Sequence, residues 1–241
     1  MSDNLLALKG VHTHIGAYHI LHGVDLVVPR GQLTMLLGRN GAGKTTTLRT
    51  IMGLWKASQG SISFKGEQIA GLPTPRIAGM NVAYVPETMG IFSDLTVKEN
   101  MLLAARAART ADQIDAQRLQ WIFSLFPAVE KFWNHPAGKL SGGQKQMLAV
   151  ARAIVEPRDL LIVDEPSKGL APAIINNMID AFAQLKGSGV TILLVEQNIN
   201  FAKRLGDTVA VMDNGQVVHA GSMSELAENE ALQHRLLGLA L

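Results

Sequence analysis

The sequence predicts an α/β fold: a mostly parallel sheet, an N-terminal antiparallel β subdomain and a helical subdomain over roughly residues 92–155, within a single domain spanning residues 1–241. Three observations predict it. Two apolar blocks, Leu160-Leu161-Ile162-Val163 and Thr191-Ile192-Leu193-Leu194-Val195, flank a helical stretch from about Ala173 to Leu185. Strand, helix, strand in that order favours parallel pairing. The first thirty residues alternate in places and are broken by Gly10, Gly16, Gly23 and Pro29, which predicts short antiparallel strands. From about Thr96 to Val155 the pattern turns mostly helical, with a loop near Pro136.

The remaining elements follow along the chain. Leu33-Thr34-Met35-Leu36-Leu37 is short, mostly apolar and bounded by glycines, so it reads as a buried strand. Thr46 to Met52 contains no breaker and reads as a helix. Ser61-Ile62-Ser63-Phe64 followed by Lys65-Gly66-Glu67 reads as a strand and turn, and Val82-Ala83-Tyr84-Val85 as a strand ended by Pro86. Thr96-Val97-Lys98-Glu99 forms a capping box: the threonine caps an N–H three residues on, and the glutamate reaches back. Val209 to Met212 and Gln216 to His219 flank Asp213-Asn214-Gly215; Asn-Gly accepts the positive φ of a type I′ turn, so this is a hairpin. The tail from Ser222 to Leu237 reads as a helix.

Composition narrows the function classes. At 241 residues, 47% of them apolar, the chain can bury a sizeable core as one large or two small domains. A net charge of +2 with scattered Lys and Arg gives no nucleic-acid or membrane footprint. The absence of cysteine excludes a disulfide framework and suits a reducing cytosol. Met1-Ser2-Asp3-Asn4 lacks the basic start and apolar block of a signal peptide. Apolar runs such as Ile192-Leu193-Leu194-Val195 are too short to span a bilayer, so any membrane role is expected through a partner.

Three motifs carry chemistry. Gly38-Arg39-Asn40-Gly41-Ala42-Gly43-Lys44-Thr45 has the spacing Gly, four residues, Gly-Lys-Thr, between a strand and a helix. That context separates a phosphate loop from an ordinary glycine turn. The glycines let backbone N–H groups converge on phosphate oxygens, and the helix N-terminus adds positive partial charge. Residues Gly38 to Thr46 are therefore the expected nucleotide-phosphate-binding set, with Lys44 on the β- and γ-phosphates and the Thr45 hydroxyl on Mg²⁺. The second motif is the apolar strand Leu160 to Val163 ending in Asp164-Glu165, which places two carboxylates at the carboxyl edge of the sheet, where ligands of open α/β folds bind. Asp164 is expected to hold Mg²⁺ and Glu165 to orient or deprotonate the attacking water. The third, Leu140-Ser141-Gly142-Gly143-Gln144, opens a helical run; its physics leaves open a plain helix N-cap or a second anion site.

Taken together, Gly38 to Thr45, Leu140 to Gln144 and Leu160 to Glu165 resemble the Walker A, signature and Walker B motifs of the ATP-binding-cassette ATPases, in their order and spacing, over nearly the whole chain. The resemblance implies a P-loop NTPase core, ATP and Mg²⁺ as cofactors, and head-to-tail pairing with a second cassette. Ser141, Gly142, Gly143 and Gln144 would then serve the partner's ATP. Val85-Pro86-Glu87 stands where the family usually has a metal- and phosphate-sensing glutamine, and Glu196-Gln197-Asn198 where it has a switch histidine. The loop after Walker B, Ser167-Lys168-Gly169-Leu170-Ala171-Pro172, lacks the usual aspartate. This combination is similar to one of the two ATPases of branched-chain amino acid importers. It adds Glu87 to the expected metal site and Gln197 to the expected catalytic group of Glu165 and Lys44. Gln197 can donate or accept a hydrogen bond but carries no charge at neutral pH. The family usually stacks adenine on an aromatic residue where this chain has Ile15; Tyr18 is either a substitute or an ordinary strand residue.

Other signals are structural. His12, His14, His19 and His22 read as solvated strand histidines rather than a zinc site, and Trp55, Trp121 and Trp133 as packing residues. Met89, Ile91 and Phe92 are either core or, as the resemblance implies, the lining of a groove for a short helix of a membrane subunit.

The expectation is an ATP-hydrolysing subunit powering an importer for branched-chain amino acids or related amides. It would sit peripherally on the cytoplasmic face of the plasma (inner) membrane with a second ATPase subunit, two permease subunits and, indirectly, a substrate-binding protein, and would bind no nucleic acid. An exporter ATPase, a soluble cassette protein not linked to transport and a weakly catalytic nucleotide-binding regulator are the alternatives.

Overall fold

The computed structural model describes residues 3–105, 110 and 113–238. Met1, Ser2 and the part of the expected helical subdomain at 106–109, 111 and 112 lie outside the described residues.

Two sheets organise the chain. The first is antiparallel, in the order β2-β1-β4-β5, from β1 (Asn4–Ile15), β2 (Tyr18–Pro29), β4 (Ala57–Phe64) and β5 (Glu67–Gln68). The second has six strands in the order β10-β9-β3-β8-β7-β6: β3 (Leu33–Gly38), β6 (Val82–Val85), β7 (Leu160–Asp164), β8 (Thr191–Glu196), β9 (Thr208–Asp213) and β10 (Gln216–Ser222). All neighbours there pair in parallel except β9 with β10.

The expected short N-terminal strands are instead two strands of 12 residues each. Gly16 does end β1 at a turn, but Gly10 and Gly23 fall at register shifts inside the pair. A glycine in a strand marks a bulge as readily as an end. The Asp25 carboxylate accepts the Gly10 N–H at 2.9 Å and holds the irregularity in place.

The apolar blocks are strands buried on both faces, and their period of two assigns each residue to a core. In β3, Leu33, Met35 and Leu37 face one core, while Leu36 faces the other. In β7, Leu161 and Val163 divide from Leu160 and Ile162 in the same way; in β8, Ile192 and Leu194 divide from Leu193 and Val195. Full burial of one such side chain contributes roughly 1.5–3 kcal/mol, so these blocks fix the centre of the molecule. One core lies between the parallel sheet and the antiparallel sheet with α1 (Lys44–Ile51) and α2 (Thr74–Gly79). The other lies against α3 (Val97–Ala104), α4 (Ala116–Leu125), α5 (Pro127–Lys131), α6 (Gly142–Ala153), α7 (Pro172–Gly187), α8 (Ile199–Leu205) and α9 (Met223–Glu228). Trp121 and Trp133 pack on this second core, Trp133 edge-on to Phe123.

Capping follows the sequence. Thr96 accepts from Glu99 N while Glu99 returns to the Thr96 N–H at 2.7 Å, and Ser141 makes the same box with Gln144. The expected C-terminal helix is divided into α9 and α10 (Glu230–Leu237), because Asn229 leaves the helical region and caps the second piece through Leu232 N. Among the described residues no helix is long and apolar enough to cross a membrane.

Candidate active site

Strand β3 delivers the glycine-rich loop to the carboxyl edge of the parallel sheet, and the loop turns directly into α1. Gly43 stands at the N-cap with φ 101°, and no side chain caps the helix. The first-turn amides of α1 therefore face the loop's hollow, the arrangement that receives an anion. Gly38 approaches its neighbour most closely: a Cβ there would lie 2.4 Å from the Met212 carbonyl oxygen. Behind the loop stands the turn of the β9–β10 hairpin. Its Gly215 N–H donates to the Ala42 carbonyl at 3.0 Å, and its carbonyl accepts from His22 N at 2.9 Å, tying the loop to β2.

Neighbouring strands bring the charged groups to this edge. Lys44 is buried and folds over the loop, its Nζ donating to the carbonyls of Gly38 at 2.9 Å and Arg39 at 3.1 Å and lying 3.5 Å from Glu165 Oε1. At the end of β7, Asp164 accepts the Thr45 hydroxyl at 3.2 Å. Burial raises the Asp164 pKa and the nearby Glu165 and Glu87 charges reinforce the rise, against the Thr45 hydrogen bond and Lys44. Tyr84 Oη lies 3.5 Å from Asp164, and burial with that carboxylate pushes the phenol up to about 12.

Glu165 has φ 48°, a left-handed conformation rare for a non-glycine residue and costly by about 1–3 kcal/mol. Burial works against its charge, yet the Gln197 hydrogen bond and the charges of Lys44 and Lys168 prevail and lower its pKa. Gln197 Nε2 donates to Glu165 Oε1 at 2.6 Å and to Asn40 Oδ1 at 2.8 Å. One amide thus joins the glycine-rich loop, the end of β7 and the end of β8.

The structure brings Asn40, Gly41, Gly43, Lys44, Thr45, Thr46, Glu87 and Glu165 to one cavity of about 300 Å³. Gly38, Arg39 and Gln197 border an adjoining hollow, and Ala42 is buried in the loop. Ser141, Gly142, Gly143 and Gln144 do not line that cavity. Their serine is the exposed N-cap of α6. Gly143 permits α6 to approach α7, since a Cβ would meet Ile174 Cγ2 at 2.7 Å.

Four participants were not assigned from the sequence. Ile20 of β2 lines the cavity at the glycine-rich loop, whereas Tyr18 is 75% exposed. Tyr84 adjoins Asp164. Lys168 pairs with Glu87 at 2.6 Å. Glu196, 2% exposed, accepts Ser167 N at 2.9 Å and the N–H groups of Gln197 and Asn198 at 3.2 and 3.3 Å. A carboxylate ending the apolar block Ile192 to Val195 repeats the pattern at Asp164, and that was the available signal.

The larger cavity, about 760 Å³, lies elsewhere, between β6, the end of α1 and α6. Trp55 and Met89 line it, with Arg49, Arg152 and Arg158. Of the other candidate groove residues, Ile91 packs on the helical core and Phe92 is 50% exposed beneath the Arg152 guanidinium. The histidines stack on one another, His14 on His19 at 4.1 Å, and among the described residues no group of three or more His, Cys, Asp or Glu is placed to hold a metal.

A donor set of one hydroxyl and carboxylates nevertheless suits Mg²⁺, which takes one or two protein carboxylates and completes its shell with phosphate and water oxygens. Thr45 and Asp164, already in contact, fit that chemistry.

Comparison with known proteins supplies independent findings. A family model described as "ABC transporter" matches residues 21–168. The high-affinity branched-chain amino acid transport ATP-binding protein BraG of Pseudomonas aeruginosa is 40% identical over 235 residues, covering 97% of this chain and 100% of that one. An ATP-binding cassette of an ABC transporter in its ADP conformation superposes with a TM-score of 0.84 at 23% identity, over 98% of this chain and 97% of that one. A bacterial ABC transporter cassette solved as a dimer gives 0.80 at 24%, over 90% and 98%. These two establish likeness of fold.

Proposed function

This chain belongs to the ABC transporter family, as an ATP-hydrolysing cassette, and we propose that it powers an importer of branched-chain amino acids or related amides. The relative covered along its whole length is named for that transport, and the Val-Pro-Glu, Gly-Leu-Ala-Pro and Val-Glu-Gln-Asn segments support the same reading.

One observation carries the catalytic assignment: Glu165, Lys44 and Gln197, from three separate chain segments, converge on the glycine-rich loop. The main-chain amides of Gly38 to Thr46 grip the triphosphate. Lys44 exchanges its loop carbonyls for β- and γ-phosphate oxygens, cancelling charge as it builds on the transferred group. Thr45 and Asp164 would hold Mg²⁺, with Glu87 beside them, and the bound ion would supply charge neutralisation at the phosphates. Glu165 accepts the proton of the attacking water; its carboxylate, lowered in pKa by Gln197, Lys44 and Lys168 against the opposing effect of burial, is held in place by those same contacts. Gln197 orients that carboxylate by a neutral hydrogen bond. Ser141 to Gln144 face a second cassette and complete the partner's site; a cassette of like fold solved as a dimer supports the pairing of two such chains. Two membrane permeases complete the assembly; a short helix of one of them enters the groove beside Met89 and holds the chain at the cytoplasmic face of the membrane.

The test pairs chemistry with transport. Glu165→Gln is expected to retain ATP binding and to lose turnover by about 10²- to 10⁴-fold. In cells lacking the chromosomal copy, that variant is expected to leave labelled leucine uptake at the deletion level while the parent restores it. Parental turnover by the variant contradicts the general-base assignment; uptake indifferent to the gene contradicts the importer reading.

A further inference from the structure

Lys168 belongs to none of the roles assigned above, yet it lines the same cavity as the glycine-rich loop. Its Nζ lies 2.6 Å from Glu87 Oε1 and 3.4 Å from Glu165 Oε2. These acids come from different places: Glu87 follows β6, and Glu165 follows β7. The other Glu165 oxygen is occupied by Gln197 at 2.6 Å, with Lys44 at 3.5 Å. With Lys168 at Oε2, both oxygens of the general base are engaged. The shorter pair, with Glu87 of the expected metal site, is exposed at both ends, but the same ammonium also reaches Glu165, which is 8% exposed.

We propose that Lys168 is a positioning residue serving as an internal counter-cation: its ammonium bridges Glu87 and Glu165 and competes with the divalent ion for Glu87. The inference rests on the nucleotide-site reading given above. When the metal arrives with the nucleotide, Glu87 is shared with a doubly charged ion. Lys168 loses its shorter partner and swings off Glu165 Oε2, which frees that oxygen for water. Without a metal, Lys168 remains a positive charge beside the phosphates. It therefore supports metal-free nucleotide and opposes metal-bound nucleotide, so binding becomes less metal-dependent than the loop and Asp164 alone would make it.

The measurement is calorimetric binding of the non-hydrolysable analogue AMP-PNP to the full chain, once in Mg²⁺ and once in EDTA. The quantity of interest is the ratio of the two dissociation constants. Lys168→Met is expected to raise the metal dependence about three- to fivefold, the size of an exposed ion pair, and Lys168→Arg to stay within about twofold of the parent. Lys168 is 55% exposed, so both variants should fold, and unchanged melting temperatures check this. A Met variant with the parental ratio overturns the inference, as does an Arg variant that behaves like Met, since shape rather than charge would then be responsible. Both results leave the nucleotide site standing if the parent binds the analogue. A parent that binds it under neither condition removes the site reading and this inference together.

Discussion

Glu196 is the residue whose burial has the plainest thermodynamic consequence. It holds Ser167 and the start of the 197–198 segment through three backbone N–H groups, so it sets how Lys168 and Gln197 approach Glu165. Burial nevertheless outweighs those hydrogen bonds and raises its pKa above the ordinary 4.5. Between the ordinary and the raised value the native state keeps a proton that the unfolded chain has released. Stability contributed by this group is thus complete below pH 4.5 and declines as pH rises through the native value. Glu196→Gln does not titrate there. The stability of the parent minus that of the variant, from urea denaturation, should fall as pH rises above the ordinary 4.5. A flat or rising difference would contradict the assignment.

At the scale of elements, the hairpin of β9 and β10 serves the phosphate loop from behind. Asn214 and Gly215 have φ of 45° and 76°, the type I′ turn that Asn-Gly predicts. A Cβ on Gly215 would meet the Ile20 carbonyl oxygen at 2.1 Å. Gly215→Ala should cost about 1–3 kcal/mol from the strained φ and, by displacing Ala42, weaken nucleotide binding as well. Denaturation and nucleotide titration check the two effects, and a variant as stable as the parent would show that the contact is dispensable. The turn itself was legible from three residues, because its chemistry is local. Its contact with the loop was not, since Ala42 and Gly215 are joined only by the strand order β9-β3. Bulges at Gly10 and Gly23 were hidden because glycine marks turns and bulges alike. The apolar strands were clear, being buried on both faces, and so were Lys44 and Glu165, whose motifs are contiguous. Lys168 joins the nearby Glu165 to the distant Glu87, and Glu196 reaches back to Ser167; spacing carries no record of the pairings that cross between strands.

For the whole molecule, the division of labour follows from the sheet. Strands β3, β7 and β8 end at one edge and there collect the loop, the two acids and the amide, while Ser141 to Gln144 do not line that cavity. One chain on this account grips a nucleotide but leaves its outer side for a second cassette to complete, so nucleotide and association are linked. The structure of Glu165→Gln with ATP and Mg²⁺ tests this most directly. The account predicts two copies head to tail, each triphosphate lying along the main chain of residues 38–46 and covered by Ser141 of the opposite copy. A nucleotide bound elsewhere, or one fully enclosed by a single chain, would contradict it.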